Sequence, residues 1–356
     1  MSYTSFGVND ALAVKLWAKN LTAAMRLNLD IAPLMGEDAN SVIHVKSETK
    51  KGTGDKVTFG LRARLTGDGK TEGETAEGNG ESLSIYSDSV TINELGHVVG
   101  TRSENTIDQQ RVPFNLREEC KDALAEWWAD RLSKSFFNQV CGYVPETNTK
   151  YTGLNAVTAP SSARIIRAGT AAGDTNLTSA DIFTLDLIDQ AVELAKVGDN
   201  MVRPININGQ KKYVLYMHPY QATSLRTNSS SGQWLDIQKA ALSADNSSKN
   251  PIYTDALGEY HNVILRVSQD IPQGVNSSSA VSNTRRAVLL GAQAAACAYG
   301  SADKGTPQKF RWNEELLDHK RKLEVSAWSV WGLKKTRFNS ADFGTVVISS
   351  YAAASS

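Results

Sequence analysis

The period of the hydrophobic pattern changes several times along this chain, and each change marks a segment. From Asp10 to Leu27, the residues Leu12, Leu16, Ala23 and Leu27 recur near helical spacing, with Asn9 or Asp10 placed to cap the start. The pattern stops at Pro33-Leu34-Met35-Gly36. Residues 1–40 therefore read either as an arm that packs on something else or as a minor part of a local core. In residues 41–102, Lys56–Leu65 (KVTFGLRARL) and Leu83–Val99 alternate as strands do and carry β-branched side chains. Between them, TGDGKTEGETAEGNGES at 66–82 has almost no large apolar group and cannot bury enough surface to fold alone. A long β-hairpin with a projecting tip is predicted, against the alternative of a solvated surface loop. A two-stranded ribbon is marginal in water unless it lies on something.

The stretch Pro113–Cys141 predicts the dominant helix, with proline at its first position and Gly142 just past its end. Acidic residues crowd its first turns and Lys134 sits late, as the helix dipole favours. Its length would be roughly 43 Å at ~1.5 Å per residue. At 100° steps, Leu116, Cys120, Ala123, Leu124 and Trp127 share one face with Trp128 at its edge, whereas Leu132, Phe136, Phe137 and Val140 drift nearly to the opposite side. A stripe that wanders this far implies different partners at the two ends, with an ordinary long core helix as the alternative. Leu124, Trp127, Trp128, Phe136 and Phe137 are the expected packing residues, and the two tryptophans are expected to be largely buried.

Residues 143–176 read as loop. Thr178-x-x-Asp181 then resembles a helix start, followed by Ile182, Leu185, Ile188, Val192 and Ala195 on one face. Lys212–Met217 predicts a buried strand turning at His218-Pro219 into a helix over Tyr220–Arg226. Trp234–Ala244 predicts a helix, and Val263–Val267 and Ala287–Leu290 predict strands. This alternation predicts an α/β lobe over 177–300. Lys322–Trp331 and Gly344–Ser349 alternate as strands and are expected to return the chain to the body that holds the long helix.

Composition narrows the chemistry. Thirty-eight basic residues balance 38 acidic ones, which gives no footprint for a generic polyanion or membrane-surface binder. No apolar run approaches the ~20 residues of a membrane span. Cys120, Cys141 and Cys297 have no CxxC spacing and read as buried free thiols. The 66–82 tip carries Asp68, Glu72, Glu74, Glu77 and Glu81 against Lys70, a net charge of about −4. Asn93-Glu94-Leu95-Gly96-His97 mimics a zinc-protease HExxH helix with asparagine for the first histidine. A metallo-hydrolase using Glu94 and His97 is the remaining enzymatic alternative, and the strand-like surroundings disfavour it. The basic pairs Arg321-Lys322 and Lys334-Lys335 read as solvated faces.

The order arm, acidic hairpin, overlong helix, inserted α/β lobe and returning strands resembles that of tailed-bacteriophage major capsid proteins of the Hong Kong 97-like fold. The resemblance is carried by KGTGDKVTFGLRARLTGDG at 51–69, YVLYMHPYQATSLR at 213–226, AVLLGAQAAACAYG at 287–300 and DHKRKLEVSAWSVWGLKKTRFNSADFGTVV at 318–347. Those segments are most similar to the N-four-like phage coat proteins. The resemblance implies an α+β fold with an N-terminal arm at 1–40, an E-loop hairpin at 41–102 and a peripheral domain at 103–176 that contains the spine helix 113–141. It further implies an axial domain at 177–300 and return strands of the peripheral domain at 301–356.

The function so implied is self-assembly into pentamers and hexamers of an icosahedral head around double-stranded DNA, with no catalytic residue, cofactor or metal. The implied partners are further copies of the chain, a separate scaffolding protein, a portal, a decoration protein, and DNA held by enclosure with weak direct contact. No membrane is involved, and the implied location is the virion after synthesis in the host cytoplasm. A related non-viral encapsulating shell is the other reading. Charge suggests that the tip (Asp68, Lys70, Glu72, Glu74, Glu77, Glu81) docks near basic groups of an adjacent subunit, with Lys334, Lys335 and Arg337 as candidates.

Overall fold

Two mixed β-sheets share one long helix in the computed structural model. It describes residues 11–47, 55–62, 65, 67–83, 85–103, 106–197, 201–207, 209–228, 258–300 and 309–354. The helix expected at Trp234–Ala244 lies outside the described residues.

The first sheet is built on the 14-residue strand Lys322–Lys335. Arg311–Leu317 and Asn93–Arg102 both pair with it antiparallel, and Trp328 faces Arg311 on one side and Gly96 on the other. Ala295–Tyr299 pairs with its far end and carries Ile43–Ser47 and Met35–Gly36 beyond. In the second sheet the strand order is Ile165–Arg167, Thr345–Tyr351, Thr284–Leu290, Gln210–Met217, Val263–Val267 and Glu259–Tyr260, with Ile205–Ile207 folded back on Gln210–Met217. Side-chain alternation sorts its two faces. Val214, Tyr216, Val288 and Val347 pack toward the core of the long helix. Tyr213, Leu215, Met217, Leu289 and Ile348 pack against the helix Leu185–Val197.

The long helix spans Leu116–Val140, about 37 Å at ~1.5 Å per residue. It starts later than Pro113 because Asn115 takes the cap, its side chain accepting from the Arg117 N–H at 2.9 Å. Cys141 closes its other end, and Gly142 follows at φ +65°, where a Cβ would strike Pro160. The drifting stripe has two partners: Trp128 meets Phe310 and Trp331 of the first sheet's body, and Phe137 meets Tyr216 of the second sheet.

Several expectations need correction. The first helix, Ala11–Asn28, buries Ala18, Leu21 and Met25, while Leu16 and Leu27 are exposed, because Trp17 stacks on Trp312 and sets the inward face. Ala123 is exposed and Trp127 half-buried, so the buried stripe of the long helix runs through Cys120, Leu124, Ala125 and Trp128. Asp181 closes a turn by accepting from the N–H and hydroxyl of Thr178, and its helix begins only at Leu185. Leu83–Val99 is two strands, Ile85–Thr91 and Asn93–Arg102, with different partners. The second sheet is not closed within 177–300: Thr345–Tyr351 enters it as an interior strand, and Ala295–Tyr299 belongs to the first sheet. Thr345–Ser350 is buried on both faces, as an interior position requires.

Candidate assembly interface

The hairpin Lys56–Arg62 with Ile85–Thr91 lies on the first sheet at its root, where Val57, Phe59 and Val90 pack on Ala296 and Ala298. Beyond the root every residue from Gly67 to Leu83 is exposed. Local bonds shape this tip. The Gly67 N–H donates to Glu81 at 2.8 Å, Lys70 lies 3.9 Å from Glu74, and Gly69 and Gly78 take positive φ (82° and 79°) that other residues rarely adopt. Asp68, Glu72 and Glu77 have no partner among the described residues. Leu65 and Leu83 add exposed apolar surface beside this charge.

The long helix is fastened at three levels. At its start Arg117 grips Glu314 through Nε (3.0 Å) and Nη2 (2.8 Å), and the Trp312 indole N–H donates to the same carboxylate at 2.7 Å. In the middle Trp128 is fully buried, with Trp127 edge-on to it at 5.2 Å. Trp127 in turn carries His97 stacked at 4.7 Å and Arg131 at 4.9 Å. At its end Phe136, Phe137 and Val140 are buried, and Arg286 donates to the carbonyls of Cys141 (3.3 Å) and Gly142 (3.0 Å).

Arg286 is itself held by Asp174, a fully buried carboxylate that also binds Arg167 at 2.9 Å and accepts the Val275 N–H at 2.8 Å. Burial pushes the Asp174 carboxyl up, but the Arg286 charge and these hydrogen bonds outweigh it and hold the group below the usual carboxylate range. Sequence reading missed this cluster. Asp174 and Arg286 are 112 residues apart, and no local pattern marks the pair.

The three cations suggested for receiving the tip are engaged within their own subunit. Lys334 pairs with Asp88 at 2.6 Å. Lys335 is wholly buried, 3.0 Å from Asp342, and also donates to the Thr158 carbonyl at 3.1 Å. Arg337 lies 3.5 Å from Asp342 and bonds the Ser340 carbonyl. Alternation of the strand explains the error, since it turns Lys335 inward where a buried carboxylate waits. Glu94 and His97 lie on the strand Asn93–Arg102, with Glu94 bonded to Arg311 and His97 against Trp127. Gly96 is required there because a Cβ would meet the Trp328 ring at 2.3 Å.

A family model described as phage capsid protein matches residues 5–354. The chain belongs to the phage capsid protein family. It is 24% identical over 387 residues to the major capsid protein of Pseudomonas phage KPP25, covering 99% of this chain and 98% of that one. Among solved structures it is similar to the capsid of Ralstonia phage GP4, with TM-score 0.73, 29% identity and 90% of both chains covered. It also matches the capsid of cyanophage Pam1, with TM-score 0.70, 20% identity and 91% and 92% covered. The fold is the α+β Hong Kong 97-like capsid fold. This phage capsid protein is a structural component of the virion shell and not an enzyme, so Glu94 and His97 are sheet residues of a coat subunit. Capsid proteins of this family self-assemble, and the surfaces that carry the assembly are what the geometry must supply.

Proposed function

We propose that this subunit forms pentamers and hexamers of an icosahedral head enclosing double-stranded DNA, with the hairpin at 41–102 laid as an E-loop across a neighbouring subunit. One observation carries this reading: the tip from Gly67 to Leu83 is exposed throughout, and among the described residues the apolar packing of the hairpin on the body is at its root. A ribbon this uncovered gains its stability on a surface other than its own. In the same reading residues 1–40 are the N-terminal arm, 103–176 and 301–356 the peripheral domain with the spine helix, and 177–300 the axial domain at the capsomer centre. Strands 165–167 and 345–351 complete the axial sheet from outside that range.

The balanced charge supports DNA held by enclosure with weak direct contact. A separate scaffolding protein, a portal and a decoration protein are the further partners, and synthesis takes place in the host cytoplasm. The resemblance of the 51–69, 213–226, 287–300 and 318–347 segments supports a kinship with the N-four-like coat proteins within the family. Electron microscopy of the purified protein tests the proposal: closed shells are expected from the full chain, and folded but unclosed material after deletion of 67–82. Shells that form equally well without the tip would overturn it.

A further inference from the structure

With Lys334, Lys335 and Arg337 engaged internally, the acidic tip needs another receptor. The sequence has one run of three consecutive basic residues, Lys320-Arg321-Lys322, preceded by His319. It forms the turn between strands Arg311–Leu317 and Lys322–Lys335, and residues 318–322 are all exposed. Asp318, His319 and Lys320 hold positive φ of 51°, 54° and 68°, three left-handed residues in succession without a glycine. The turn is closed by the Arg321 N–H on the Asp318 carbonyl (3.0 Å) and tied to the neighbouring strand by the Ser103 N–H on the Arg321 carbonyl (3.0 Å). The backbone is thus fixed, while the side chains of Lys320, Arg321 and Lys322 have no partner among the described residues. Arg102, opposite Lys322 in register, has its charge met by Asp108 at 3.5 Å.

We infer that the turn at 318–322 of one subunit receives the acidic tip of another. Among the described residues the unpaired carboxylates Asp68, Glu72 and Glu77 equal the unpaired cations of the turn in number and oppose them in charge, and no hydrogen bond or ion pair joins the two groups within one subunit. Every copy carries both halves of the contact at different places on its surface. The contact is therefore head-to-tail, the type that closes rings. Exposed ion pairs contribute little singly, but several acting together within a multivalent shell add up, and they weaken as salt rises. This inference rests on the E-loop reading above and names its receptor.

Charge reversal tests it. The turn variant carries Lys320→Glu, Arg321→Glu and Lys322→Glu, the tip variant carries Asp68→Lys, Glu72→Lys and Glu77→Lys, and a third variant carries both sets. Sedimentation measures the assembled fraction, and circular dichroism checks folding, which these exposed positions should not disturb. Each single reversal should lower assembly by about tenfold, and the combination should restore it to within about threefold of the natural chain. If tip reversal blocks assembly while turn reversal does not, the tip docks elsewhere and the E-loop reading survives. If deletion of the tip has no effect, the E-loop reading itself fails, and this inference with it. If turn reversal spares the shells but lowers their DNA content, the turn faces nucleic acid and the inference is overturned. A Glu77→Cys/Lys320→Cys variant adds a direct measurement, because Cys120, Cys141 and Cys297 are all buried. Oxidised shells should give a ladder of disulfide-linked subunits, and monomers alone would refute the contact.

Discussion

Replacing Asp174 removes the buried charge that holds both Arg286 and Arg167. Its carboxylate is fully buried, 2.7 Å from Arg286 Nη2, 2.9 Å from both Arg286 Nε and Arg167 Nε, and 2.8 Å from the Val275 N–H. Replacing it with asparagine keeps the volume but removes the charge and turns an amide donor toward donors. Arg286, whose side chain is 5% exposed, would then be left with neutral acceptors alone, the Cys141 and Gly142 carbonyls among them. Breaking one partner of such a buried pair costs about 3–5 kcal/mol. Asp174→Asn should lose that much stability in urea unfolding of the unassembled subunit.

The pH dependence follows with a definite sign. The folded pKa of Asp174 lies below its unfolded value. Its contribution is therefore complete above the unfolded pKa, about 3.9, and is lost as pH falls through the lower folded value. The natural chain should lose this part of its stability only in strong acid. The asparagine variant should be destabilised at neutral pH and show a shallower acid limb. A cost below about 1 kcal/mol, or identical acid limbs, would refute the reasoning.

Three further outcomes are expected. Trp128→Ala should cost about 3–5 kcal/mol through the cavity left among Trp127, Phe310 and Trp331. Trp128→Phe should cost much less, under about 1.5 kcal/mol, because it also removes a buried indole N–H with no partner; equal costs in urea titrations would contradict this. Gly96→Ala should cost about 1–3 kcal/mol and lower the melting temperature, since its Cβ meets the Trp328 ring, and an unchanged melting curve would show the ring yields freely. Burial pushes the Cys141 and Cys297 thiols up to about 12, so a disulfide reagent at pH 8 should label neither in the folded chain and both in denaturant; rapid native labelling would contradict their burial.

What the sequence made legible was whatever depends on local period. The bare tip at 66–82 and the drifting stripe of the long helix both have physical counterparts: an exposed hairpin end, and contacts with two sheets. What it hid was any choice between equivalent local patterns. The first helix has two apolar stripes, one through Leu16, Ala23 and Leu27 and one through Ala18, Leu21 and Met25, and the stack of Trp17 on Trp312 selects the second. Lys334 and Lys335 look alike in sequence, yet strand alternation buries one wholly and leaves the other part-exposed. Gly344–Ser349 alternates polar and apolar residues in sequence as a strand does. In the sheet Thr345–Ser350 is buried throughout, because the strand is paired on both sides, with Thr284–Leu290 and with Ile165–Arg167.

The arrangement explains why one helix needs two stripes. Its start is bound through Arg117 to Glu314 of the first sheet, and its end through Arg286 to a strand of the second. Any rotation between the sheets must break one of these charged contacts or bend the helix between them, where Trp128 fills the space fully. A single-stripe helix would secure one sheet and leave the other free to pivot. In the proposed shell, subunits reach one another through the tip and the 318–322 turn. The turn belongs to the first sheet, so force received there passes into the strand Lys322–Lys335 and then, through Trp331 and Trp128, into the helix. Differences in curvature between rings are then met at the exposed tip, whose local bonds are few, before they reach the fastened body.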